Sequence, residues 1–124
     1  MNVKINLRLS FFPREKMDEL QQLLYERNVM KTQLKEKYSE LSIRQAQIKD
    51  LLNYITRLEQ LINRADDDDD VDSDNENLTN LLQEKRRQYE LIELEINTLC
   101  LDISILNLNI GRIEDNINSL RSQH

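Results

Sequence analysis

Chain breakers and large aromatics are nearly missing from these 124 residues: there is one glycine, one proline and no tryptophan. A compact globule needs turns and bulky core residues, so their scarcity argues against one. Cysteine and histidine occur once each, as Cys100 and the final residue His124. One thiol builds neither an internal disulfide framework nor a multi-cysteine zinc site, and it suits a reducing compartment. Histidine-based acid–base work, nucleophilic triads and zinc chemistry lack their parts, and no glycine-rich loop exists. The expectation is a protein that is not an enzyme, with no catalytic, cofactor-binding or metal residue and no small-molecule substrate. No apolar run approaches the roughly 18 residues of a membrane span, and there is no secretory apolar segment. Membrane insertion is therefore not expected, and the cytoplasm or nucleus is the expected location.

What the chain does have is charge and periodic aliphatics. Charged residues make up 32% and the net charge is −6. The stretch 65–77 holds eight carboxylates and no base, so the acidic excess sits in one place. No basic stripe is left to neutralise a phosphate backbone, and direct nucleic-acid binding is not expected.

The clearest order lies in residues 77–121. Leu78, Leu82, Tyr89, Ile92, Ile96, Leu99, Ile103, Leu106, Ile110, Ile113, Ile117 and Leu120 follow 3-4 spacing, with only Lys85 breaking the row. A 3.5-residue period held over six heptads marks a helix that winds against other helices. Isoleucine dominates position a and leucine is common at d. Parallel pairing of two copies would set Gln88 against Glu93 and Asp102 against Asn107, with no opposite-charge contact to favour it.

A second, weaker heptad starts at Met17, after Pro13 opens the helix at a position that needs no N–H. Its d row, Leu20, Arg27, Leu34, Leu41, Ile48, Ile55 and Ile62, is apolar at all but Arg27. Its a row, Met17, Leu24, Lys31, Tyr38, Gln45, Leu52 and Glu59, is mixed. Leu23, Met30, Leu51 and Leu58 at g widen the apolar stripe, which suits a multi-helix bundle.

The expected fold is all-α: a long antiparallel helical hairpin, or coiled coil, assembling into a multi-helix bundle. Helix one covers 13–64, helix two 78–121, and 122–124 form a tail. Leu34, Leu41, Ile48, Leu52 and Ile55 are expected to meet Ile92, Ile96, Leu99, Ile103, Leu106 and Ile110 along the seam. A fold-back that sets Ile62 on Leu82 and Ile55 on Tyr89 also brings the two faults together, Glu59 against Lys85. It leaves Arg27 within reach of Glu114. An unpaired buried charge costs several kcal/mol, so this polar pair would select the register.

The acidic stretch 65–77 reads as a flexible linker, since like charges repel and nothing there offsets ordering entropy. An EF-hand starting at Asp66 would need Gly and Glu where Val71 and Asn77 stand, so calcium binding is not expected. Ser73, among acids with Glu76 three residues on, is a possible phosphosite. In the N-terminal segment 1–12, Val3, Ile5, Leu7 and Leu9 alternate with polar residues, the pattern of a strand added to another subunit's sheet or paired with its own copy; the alternative is a frayed or helical N-terminus, since no second strand pattern exists in the chain.

Leu91, Leu94, Leu101, Ile105 and Leu108 form a second row on helix two, opposite its seam. A two-helix hairpin leaves these aliphatics in water, which marks a partner surface. The expected function is that of a structural subunit of a larger complex, a homo- or hetero-oligomer joined through coiled-coil helices on both apolar faces of helix two. The alternative is regulatory: the acidic linker from Asp66 to Glu76 captures a basic protein.

Overall fold

A computed structural model describes residues 14–66 and 72–122, with side chains placed over 17–64 and 75–122. Among these the chain forms two helices, α1 (Arg14–Asp66) and α2 (Asp72–Ser122), packed against each other as an antiparallel hairpin with no strand. The strand expected near Val3 and the helix start at Pro13 lie outside the described residues, as do residues 67–71 at the centre of the acidic stretch. The helices reach further into that stretch than the sequence predicts. Helix α2 begins at Asp72 rather than 78, and α1 continues to Asp66. The opening sequence of α2, Asp-Ser-Asp-Asn-Glu, explains the first extension, because negative charge near a helix N-terminus is stabilising. Ser73 thus falls in the first turn of α2. Arg64 and Arg121 in the last turns of the two helices match the opposite poles.

The hairpin divides into two compact units: Ser39–Leu101, which holds the connection, and an end unit of Met1–Tyr38 with Asp102–His124. In the first unit Ile55, Leu58 and Leu82 form a buried cluster, with Leu51, Ile62, Leu78 and Tyr89 packed around it. In the end unit Ile103, Ile110, Ile113, Ile117 and Leu120 are buried, Ile117 almost completely. Every position of the α2 row, Lys85 included, is buried or half-buried.

Helix α1 is turned differently from the sequence expectation. Its d row faces α2, but the second inward row is g, not a. Leu58 is buried and Leu51 half-buried, whereas Leu52 is 48% exposed. Leu52 therefore does not belong to the seam. Within the first unit, Leu41 and Ile48 are half-buried and Ile55 buried, as is Leu34 in part within the end unit. The g row carries Leu23, Met30, Leu51 and Leu58 together with two half-buried bases, Lys37 and Arg44, each paired with a carboxylate of α2 (Asp102 and Glu95); the a row would bury Lys31, Gln45 and Glu59. Rotation toward g keeps those polar groups in water and exposes only Tyr38 and Leu52 in exchange. The g row thus holds one polar residue fewer than the a row, and its two bases reach carboxylates on α2, which offsets part of the cost of their desolvation.

The expected Glu59–Lys85 pair is consequently replaced. Glu59 Oε1 accepts from Arg86 at 3.2 Å. Lys85 Nζ instead lies 5.2 Å from the ring centroid of Tyr54. In the end unit, Glu114 pairs with Lys31 at 3.5 Å rather than with Arg27, whose Nε is buried with no hydrogen-bond partner.

Two outcomes follow for stability, each read by chemical denaturation. Leu58→Ala should cost about 2–4 kcal/mol, and Leu52→Ala less than about 1 kcal/mol; equal costs would contradict the rotated seam. Arg27→Leu should raise stability by about 1 kcal/mol, because it removes a desolvated donor from an aliphatic row.

Candidate protein–protein interface

The two edges of the Ser39–Leu101 hairpin differ. Position g of α2 lies on one edge and position e on the other, and each edge has its own ion pair. Arg44 Nε meets Glu95 at 2.9 Å on the g edge; Arg86 meets Glu59 on the e edge. All four side chains are largely exposed, so each pair adds on the order of 0–1 kcal/mol. Their value is geometric: one tie on each side resists rotation of either helix.

Along the g edge runs an open groove of about 560 Å³. Leu51 and Ile92 form its floor, Tyr54 and Leu91 its apolar walls, and Gln47, Asp50, Lys85, Gln88 and Glu95 its polar parts. Lys85 lines the groove and its ammonium lies over the Tyr54 ring. A lysine can sit in an apolar row when its stem packs and its head meets a π face. The groove on the e edge is smaller and more charged, with Arg86, Glu90 and Glu93 beside Leu52, Ile55 and Tyr89. Neither Glu90 nor Glu93 has an ion-pair partner among the described residues.

Of the partner-surface residues expected from sequence, Leu91, Leu94 and Leu101 lie in this unit and are exposed, at 55%, 62% and 60%. Ile105 and Leu108 are exposed in the end unit. Sequence reasoning missed five more exposed apolar residues of the first unit: Ile43, Leu52, Tyr54, Leu61 and Leu81. Tyr54 and Leu61 are seven apart and Ile43 eleven before Tyr54, so they share one side of α1. That spacing was available in the sequence, but it gains meaning only once the seam is known to be d and g. Cys100 is exposed. The Asp66-to-Glu76 segment falls partly outside the described residues, and only Asn75 and Glu76 of it have described side chains.

Among the described residues no three histidine, cysteine or acidic side chains gather as metal ligands, and no helix is long and apolar enough to cross a membrane. No protein-family model matches the chain, and no curated protein or solved structure matches it either.

Proposed function

We propose that this protein is a non-enzymatic coiled-coil subunit of a larger assembly, and that helices of its partners pack on the aliphatic side chains that α2 leaves outside the hairpin. The observation that supports this reading is the exposure of Leu91, Leu94 and Leu101 on one short stretch of a well-packed helix. Isolated exposed leucines are ordinary on a protein surface. Three within eleven residues, beside a groove walled by Leu91 and Tyr54, make a contiguous patch of the kind that marks an interaction site. Each large aliphatic side chain covered by a partner removes roughly 1.5–3 kcal/mol worth of apolar surface from water, less the costs of association. The regulatory alternative keeps one specific support, the eight carboxylates of 65–77 without a base among them.

Tagged protein in its native cells separates the two. With Leu91, Leu94 and Leu101 all changed to Lys, the chain should leave its native complex and elute alone in gel filtration, while circular dichroism keeps most of the helical signal. Replacing the five aspartates 66–70 with serine should leave the complex intact. An unchanged complex with the lysine variant sinks the assembly reading; loss of a basic companion with the serine variant favours the regulatory one.

A further inference from the structure

Helix α2 takes its positive charge from its neighbour. Residues 88–111 contain Glu90, Glu93, Glu95 and Asp102 and neither lysine nor arginine. Where α1 covers α2, α1 supplies the missing bases. In the Ser39–Leu101 unit Arg44 meets Glu95 at 2.9 Å, and in the end unit Lys37 meets Asp102 at 3.6 Å. Both bases are half-buried at g positions, beside the apolar d row of α1. The helix that packs on α2 is thus one whose aliphatic row is bordered by base.

The opposite side of α2 carries the same chemistry uncovered. In the Ser39–Leu101 unit Leu91, Leu94 and Leu101 are exposed, and spacings of three and seven put them on one face. Glu90 is four residues before Leu94 and borders that face; Glu93, three residues on from Glu90, lies further round toward the e edge. Both glutamates are exposed, and neither has an ion-pair partner among the described residues. The base at the upper end of the face, Arg87, is already engaged by Glu84 at 3.5 Å. The result is an exposed aliphatic row with two unanswered carboxylates along one side.

Resting on the assembly reading above, we propose that the occupant of this face is a helix of another protein that repeats the relation of α1 to α2. Its aliphatic row packs on Leu91, Leu94 and Leu101, and lysine or arginine beside that row meets Glu90 and Glu93. A second copy of α2 does not fit this requirement. Docked over the same three leucines, it adds carboxylates and, across 88–111, no base. Like charges brought together at an interface select against such a partner.

Two synthetic helical peptides test this by calorimetric titration of the full purified chain. Both carry leucine at 3-4 spacing; lysine flanks the leucines in one and glutamate in the other. The lysine peptide should bind one to one, and about tenfold more tightly than the glutamate peptide, since two exposed ion pairs stand in place of two like-charge contacts. Glu90→Lys with Glu93→Lys should reverse that preference with the circular dichroism unchanged, both groups being exposed. Leu94→Lys with Leu101→Lys should abolish binding of either peptide. Serine in place of the five aspartates 66–70 should leave the preference as it was. Equal affinity for the two peptides, or no binding of either in the high micromolar range, overturns the proposal. A preference that survives the glutamate reversal and vanishes with the aspartates also overturns it, and assigns basic capture to the acidic stretch. Sedimentation equilibrium covers the remaining occupant: a chain that self-associates until Leu94 and Leu101 are replaced gives the face to a second copy. The native-complex test is independent of all these results, so the assembly reading stands or falls separately from the basic flank.

Discussion

Everything in this hairpin turns on where α1 keeps its charges. Its apolar residues are spread over three heptad positions, a, d and g, and any neighbouring two could face α2. Burying a and d would add Leu52 and Tyr38 to the seam but drag Lys31, Gln45 and Glu59 with them. Burying d and g admits Leu51 and Leu58, half-buries Lys37 and Arg44 beside carboxylates of α2, and leaves those three groups wetted. One polar residue fewer, and the reach of two bases to carboxylates of α2, thereby separate the two rotations of a helix of 53 residues. Rotation in turn decides which side chains become walls and which become floor. Had α1 rolled the other way, Leu52 would be inside and the Leu51 floor would not exist.

Helix α2 was easy to read and α1 was not, for the same reason. In α2 the aliphatics occupy one narrow row with a single fault at Lys85, so period alone selects the buried face. Residues Ile92 through Leu120 stand where that period puts them. The outward placement of Leu94 and Leu101 also follows from it. In α1, periodicity has no unique solution, and the choice depends on a comparison of desolvation terms that spacing does not display. Glu59 meets Arg86 and not Lys85 for the same reason: matching the two faults requires both to lie in the seam, whereas Glu59 lies on an edge. Charge composition alone predicts repulsion in 65–77 and not the helix start at Asp72, which depends on the favourable field at a helix N-terminus.

The two edges of the Ser39–Leu101 unit have different characters. One has Tyr54 and Leu91 in its walls beside Asp50, Lys85 and Glu95; the other has Arg86, Glu90 and Glu93 beside Leu52, Ile55 and Tyr89, and neither of those glutamates has an ion-pair partner among the described residues.

The contact between Glu59 and Arg86 joins residues only 27 apart in sequence. Contacts of the end unit, such as Lys31 with Glu114, enclose roughly three times as much chain, and closing a longer loop costs more entropy, growing as its logarithm. Folding is therefore expected to zip outward from the middle of the chain, with the Ile55, Leu58 and Leu82 cluster as the first tertiary foothold. A ribosome would release that foothold well before Leu120 has been synthesised. The last seam residues would then dock onto a helix already held in place, and the nascent chain would never have to search for its register from both termini at once.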